Sequence, residues 1–578
     1  MVDSLALIVS VDAIFTGTTA SEESMSAALK TLTRDDALFT CARINAMVSG
    51  FGPDLSNHHR QNAAISRLCS QEEMLALSRY AVKHGGPERV MAFFRGQLLE
   101  LARWITLYCR HQAGDGETFA DAAVRSAFVR AALIASDLWQ RRLFGDVIQP
   151  SLDRDGQIRQ FMGSFRKSME EGNGAGHPGL TMSRGWTLFS RYVPKYLPEF
   201  GELFERSTNL TLRQYFICAT ALMNRTFSDH PENGRIFQTD YVRGTTSYKE
   251  VFRRFIGLLS QTPEEWAKKL RAKTNDSGHL SLRERPILNF DRGRSIIFDP
   301  TFYLDNLTIA PLFYLKTTGV PMIRVFSAFG LAFEEYARNL LERRFPDGSG
   351  VLYQPLKCNV EGRNAQGHKF EIDAVLNDVL AAAVIEMKAG LIREETVLAD
   401  DPEIFLDEIR VKYGHIDGSV DRDKGVAQLA RSIGALVRRE WAGPAGEYSN
   451  VKQIYPVLAV FDIRMAAPGC CYFLDSEFRK LLGVVPLGIQ VHPLIVMTID
   501  DVEHLVSGVE SLSLMEFLRA YSAADPDRIG SVHNFIAGSG YMNQVRSSPF
   551  LAAAFDELMQ AVREELGPET TRSSEENA

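Results

Sequence analysis

Residues 370–390, FEIDAVLNDVLAAAVIEMKAG, set two apolar runs on either side of a short turn, and each run carries acid where a buried strand should not. Asp373 interrupts the first run, and Glu386 and Lys388 end the second. Successive strand side chains point to opposite faces, so Glu386 and Lys388 share one face while Ile385 and Met387 share the other. A hairpin with Asp373 opposite Glu386 also pairs Val375 with Val384 and Glu371 with Lys388. The turn signal Asn377-Asp378 lies before the centre this register needs, near Val379-Leu380, so a longer or bulged connection is expected. Two carboxylates that close repel each other unless a cation or a proton lies between them. A divalent metal is the leading candidate.

A chain of 578 residues exceeds one ordinary core, so several domains are expected. Its 45% hydrophobic and 24% charged composition is that of a folded protein. A formal net charge of −8 excludes a globally basic nucleic-acid coat but leaves room for a local basic groove. The seven cysteines form no Cys-x-x-Cys pair, which argues against a zinc ribbon or a disulfide framework and fits a reducing cytoplasm. The amino terminus has no basic run before its apolar stretch, and Asp12 interrupts that stretch, so no secretory signal is expected. The longest apolar stretch, 482–499, contains Pro486, Gln490, His492 and Pro493 and reads as strands and turns, not as a membrane span.

Residues 1–15 read as a strand or short buried lead-in, and the pattern over about 21–270 is mostly helical. Ser21-Glu22-Glu23 and Thr33-Arg34-Asp35-Asp36 are helix starts, with capping hydroxyls followed by first-turn acids. Long amphipathic helices are expected over 89–112 and 117–144, joined by a turn at 113–116, with further helices near 153–170, 184–206, 211–224, 248–260 and 262–273. The Gly-rich segment 172–179 lacks the preceding strand and following Lys-Ser/Thr of a phosphate loop and reads as an interhelical connection. Eight Lys and Arg side chains cluster over 268–294, either as a phosphate-tracking patch or as a solvated linker, ahead of an expected hairpin at 286–298. From 326 the order becomes an acid-bearing helix at 327–345, a strand at 350–360, the opening hairpin, and an acid-rich stretch at 389–425 with a short helix and the length of a mobile loop or lid. A helix at 425–440 and buried strands at 453–462 and 492–499 follow. The region from 500 is helical, with a tail of disordered composition.

In this order the chain resembles the PD-(D/E)XK nuclease superfamily, the restriction-endonuclease-like fold. The matching residues are Glu334 in FEEYARNLL, Asp373 in EIDAVL, Glu386-Met387-Lys388 in VIEMKAG and Gln428 in GVAQLARSI, and the likeness covers roughly 320–500. It implies a nuclease-like α/β domain with a mixed central sheet at 320–505 and says little about the rest, where the residue pattern gives a multidomain chain with an α-helical domain at 1–275, a linker and β-hairpin at 276–319, helices at 506–566 and a disordered tail at 567–578. It further implies Asp373, Glu386 and Glu334 as ligands of Mg2+, with Mn2+ as a substitute, and Lys388 as the residue that activates or orients the attacking water. Gln428 would support the site. The implied activity is endonucleolytic cleavage of nucleic acid, DNA before RNA. Large helical regions on such nucleases in bacterial defence proteins often sense or bind a partner, which implies a homo-oligomer or a protein trigger.

The chemistry explains the residue types. Phosphodiester hydrolysis needs a metal to neutralise phosphate and acidify water, magnesium prefers carboxylate oxygens, and an ammonium stabilises developing negative charge. Glu335 competes with Glu334, because both lie near one helix edge. The bland alternative makes Glu386 and Lys388 edge-strand charges, with Lys388 paired to Glu371. Gln428 equally suits a cap or a core hydrogen bond. An inactive nucleic-acid-binding module or an interaction scaffold is the rival function. HExxH, Walker lysine and Gly-x-Ser-x-Gly motifs are all missing. Ser164 and Lys167 match Ser-x-x-Lys without its partner motifs, and Phe93, Phe94 and Trp104 read as core.

Overall fold

The computed structural model describes residues 7–48, 57–110, 121–144, 153–171, 178–226, 236–238, 246–272, 279–344, 356–363, 369–378, 380–399, 401–414, 424–438, 448, 450–507, 513–539 and 548–566. The turn at 113–116, residues 172–177 of the Gly-rich segment and the tail at 567–578 lie outside these. The fold is mostly helical, with a mixed sheet in the C-terminal part. Among the described residues, no helix is long and apolar enough to cross a membrane.

The expected helix starts are present where local hydrogen bonds secure them. Helix α1 (Glu22–Leu29) is capped by Ser21, whose hydroxyl accepts from Ser24 N while Ser24 Oγ accepts from Ser21 N. Ahead of α2 (Arg34–Val48), Thr33 Oγ1 donates to Asp36 at 2.7 Å. The long helix expected over 89–112 is shorter. Val90–Met91 forms a strand, β2, parallel to β1 (Leu7–Ile8), and α3 begins only at Arg95 (Arg95–Tyr108). Buried Gln61 explains the break. Its amide oxygen accepts from Ala92 N and Phe93 N at 3.0 Å and its nitrogen donates to Phe93 O, so a distant side chain supplies what a helix would have supplied. Helices α4 (Ala122–Phe144), α5 (Arg154–Glu171) and α6 (Pro178–Thr187) follow. The helix expected over 184–206 is interrupted: α6 runs into a π-helical stretch at Leu188–Tyr192 and a turn at Val193–Tyr196, and a new helix begins at Phe200. Pro194 and Pro198 lie in that interruption and cannot donate to a helix ladder.

The hairpin expected at 286–298 forms, with β5 (Ile287–Phe290) antiparallel to β6 (Arg294–Ile297). Strands β3 (Ile236–Gln238) and β4 (Ser260–Gln261) extend it to a four-stranded sheet of order β3-β6-β5-β4. Its side chains alternate between two cores. Leu288, Phe290 and Ile296 join the amino-terminal helices, while Ile287 and Ile297 join the central core. Several of the neighbouring cations are internally engaged: Arg283 binds Asp305 at 2.8 Å, Lys269 reaches Gln261 at 3.5 Å, and Arg294 lies 5.3 Å over the Phe39 ring.

Beyond residue 320, helix α7 (Met322–Arg344) precedes the antiparallel strands β7 (Lys357–Arg363), β8 (Lys369–Asp378) and β9 (Ala381–Lys388). The acid-rich segment is not an open lid over its described part. Glu394–Leu398 and α8 (Pro402–Tyr413) bury Val397, Phe405, Leu406, Ile409 and Tyr413. Arg166 of α5 donates to the carbonyls of Val397 and Ala399. Helix α9 (Val426–Val437) then crosses to β10 (Gln453–Val460), parallel to β9, and α10 (Cys470–Leu482), β11 (Gln490–Val491) and β12 (Ile495–Thr498) follow. The sheet order is β11-β10-β9-β8-β7, with β12 also on β10. Ala383, Ile385 and Met387 face the core that holds Phe329, Phe333 and Tyr336 of α7, and Ala382 and Val384 face the core of α9 and α10.

Buried charge joins the two halves. Arg184 of α6 donates to Glu503 at 2.9 and 2.8 Å and to Asp500, both on α11 (Ile499–Val506), and Tyr336 of α7 donates to Glu503 at 2.7 Å. Arg184→Leu leaves two buried carboxylates without their cation and is expected to lower the stability of the coupled unit by about 3–5 kcal/mol. Urea denaturation monitored by near-UV circular dichroism measures this, and adding Glu503→Gln should recover part of the loss.

Candidate active site

The pairing of β8 with β9 follows the expected register, running from Asp378↔Ala381 through Val375↔Val384 to Ala374↔Ile385. The pair Asp378↔Ala381 leaves two residues between the strands, and the connection expected to be longer or bulged includes Val379, which lies outside the described residues. The ladder stops one position short of Asp373 and Glu386. Glu371 pairs with Glu361 of β7 and not with Lys388, which corrects both the extended register and the Glu371–Lys388 alternative.

Asp373 lies where two ladders are interrupted. On its other side, β7 pairs Cys358↔Ala374 and Val360↔Ile372, leaving Asn359 and Asp373 unpaired between them. Asn359 has φ 50, a left-handed conformation that Asn tolerates better than most residues. Side-chain alternation slips here as well. Ala374 belongs to the α7 core, yet Ile372, two residues away, belongs to the α9 core. The parted backbone lets the Asp373 carboxylate turn inward and accept from Met387 N at 2.6 Å. A charge-assisted bond of this kind contributes about 1.5–3 kcal/mol.

Lys388 ends β9 inside the resulting opening. Its Nζ lies 2.8 Å from Glu386 Oε1, 3.3 Å from Glu334 Oε1 and 3.9 Å from Asp373 Oδ2. Burial opposes its charge, but Glu386, Asp373 and Glu334 outweigh burial and push the Lys388 ammonium up. Glu386 is 2% exposed. Burial, and then the Asp373 charge, push its carboxyl up to about 8, and Lys388 offsets them only in part. Burial also raises Glu334 against the opposing pull of Lys388. Three carboxylates around one ammonium leave the cluster short of positive charge.

The rotation of α7 settles the Glu334–Glu335 alternative. Glu334 faces Lys388, whereas Glu335 accepts from Lys195 Nζ at 2.5 Å and Tyr196 Oη at 3.1 Å. Gln428 makes a cap bond through its amide oxygen. It occupies the third position of α9, and its amide oxygen accepts from Gly425 N at 3.2 Å, so it acts as a helix cap. Asp462 and Arg464 shape the backbone beyond Lys388. Asp462 accepts from Ile392 N at 2.7 Å, Arg464 donates to Ile392 O at 2.6 Å, and Phe461 N donates to Lys388 O at 3.2 Å. Asp462 carried a sequence signal, as an acid ending a buried strand beside β9, whereas nothing local marked Lys195 or Tyr196.

Among the described residues, no three His, Cys, Asp or Glu side chains converge as a ready-made metal site. Lys388 lies among the three acids instead. No protein-family model matches the chain, and no curated protein or solved structure shows significant similarity to it.

Because the Glu386 carboxyl lies far above its ordinary range in the folded chain, folding favours its protonated form. Stability from this group is full below about pH 4.5 and is lost as the pH rises through about 8. Glu386→Gln is expected to flatten that decline and to raise the thermal midpoint above pH 8 relative to the wild-type chain. Thermal unfolding followed by circular dichroism from pH 5 to pH 9 checks it.

Proposed function

We propose that residues 320–505 form a restriction-endonuclease-like domain and that the chain is a Mg2+-dependent endonuclease hydrolysing DNA phosphodiester bonds. The observation that carries this reading is the convergence of Glu334, Asp373 and Glu386 on Lys388 at the end of β9. The order α7, β7–β8–β9, α9, β10 supports the domain assignment. In the same reading the helical region serves as the sensor or partner-binding part of a bacterial anti-phage system.

The donor chemistry fits the ion. All three acids offer hard oxygen ligands, and the Glu386 carboxyl is raised first by its burial and then by the Asp373 charge, which Lys388 offsets only in part. Asp373, Glu386 and Glu334 would hold Mg2+, or Mn2+ in its place. When bound, it neutralises phosphate charge and lowers the pKa of water. Glu386 must lose its proton before it can act as a ligand, which links cation uptake to pH up to about 8. Lys388, held protonated by its neighbours, donates to the attacking water or to charge developing on the phosphate. Asp373, tied to Met387 N, keeps the end of β9 at a fixed distance from β8.

One observation favours a second reading. Lys388 already neutralises part of the acid cluster and Asp373 is committed to the backbone, as in a catalytically inactive nucleic-acid-binding or protein-interaction scaffold.

Incubation with supercoiled plasmid and Mg2+ or Mn2+ separates the readings. The wild-type chain is expected to nick DNA, and Asp373→Ala and Lys388→Ala to lose at least about 100-fold in rate. Equal nicking by all three sinks the assignment, and silence from all three is the outcome of either a scaffold or a nuclease awaiting the trigger that its helical region senses.

A further inference from the structure

An acidic cluster faces a difficulty if its substrate is a polyanion. Three carboxylates and one ammonium repel phosphate at a distance, so a nuclease site of this composition needs cations on its rim. In the basic stretch at 268–294, Arg283, Lys269 and Arg294 are engaged within the helical part.

Two other cations lie beside the site. Residues 331, 334, 335 and 338 share one face of α7 by their spacing, which places Arg338 one turn beyond Glu334. Arg338 donates to Asn359 Oδ1 from that position, and Asn359 occupies the strand position opposite Asp373. The charge of Arg338 is felt at Glu334. The second cation is Lys195, which arrives from the helical region and is 52% exposed along its side chain. Its neighbour Tyr196 bonds to Glu335 and senses the charges of both Arg338 and Glu334.

We propose that Lys195 and Arg338 form a phosphate-contacting rim beside the carboxylate cluster, so that the helical region supplies part of the DNA-binding surface. The inference rests on the nuclease reading. Both cations are held by partners that a phosphate can replace cheaply. The exposed Lys195–Glu335 pair contributes about 0–1 kcal/mol, and Asn359 offers Arg338 only a neutral oxygen. The planar guanidinium of Arg338 suits two-point contact with a phosphate, and Lys195 acts as a mobile point charge.

Binding, not cleavage, tests the rim. The full chain is titrated in EDTA into a fluorescein-labelled DNA duplex at several salt concentrations, with anisotropy as the readout. Lys195→Ala and Arg338→Ala are each expected to weaken binding roughly fivefold and to reduce the salt slope by about one. Lys195→Arg should bind like the wild-type chain. Glu335→Gln frees Lys195 and removes a repelling charge, so it should bind more tightly, a gain that misfolding cannot produce. Unchanged affinities and slopes, or weaker binding by Glu335→Gln, overturn the rim while leaving the nuclease reading intact. Absence of binding by the wild-type chain at low salt also overturns the rim, and plasmid nicking then decides the nuclease reading separately.

Discussion

One ammonium held among three carboxylates, where two strands part, is the constraint on which the C-terminal half depends. Without Lys388, the acids Glu334, Asp373 and Glu386 would repel one another within a largely buried space. With it, the cluster still holds more acid than base, and burial together with the Asp373 charge pushes the Glu386 carboxyl up to about 8. Strand pairing and charge are coupled here. The β8–β9 ladder ends at Ala374↔Ile385, and beyond that point Asp373 bonds to the β9 backbone with its side chain. The hydrogen bonding of the sheet has been exchanged for a pocket of ionisable groups.

Helix α7 carries this cluster's third acid, and the amino-terminal half grips that helix along its length. Phe189 stacks against Phe329, Tyr192 receives a hydrogen bond from Asn339, Lys195 and Tyr196 hold Glu335, and Arg184 reaches Tyr336 through Glu503. A change in the helical region therefore has a direct physical route to Glu334. That coupling suits the proposed sensor role and equally suits a shared substrate surface.

Much of the site was legible because strands have a strict period. The two-residue period of a strand fixed which residues of 381–388 share a face with Glu386, and the register through Val375↔Val384 followed from it. The break in that register was not legible, since it depends on the left-handed turn of Asn359 in a neighbouring strand. The choice between Glu334 and Glu335 required the rotation of α7, which is set by aromatic packing over long sequence separations. For Gln428, the third position of a helix suits a glutamine cap as well as it suits a site, and its amide oxygen takes the cap bond. In the helical half, amphipathic periodicity found most helices but missed the break at 90–94, because the deciding group, Gln61, lies some thirty residues away.

Cation binding tests the central electrostatic claim most directly. Calorimetric titration of Mn2+ into the wild-type chain, in buffers of different ionisation enthalpy, reads affinity and proton release together. The expected result near neutral pH is uptake of an ion with release of about one proton from Glu386, and loss of binding in Asp373→Asn. No detectable uptake, or binding and proton release unchanged in Asp373→Asn and Glu386→Gln, would contradict a metal role for the cluster.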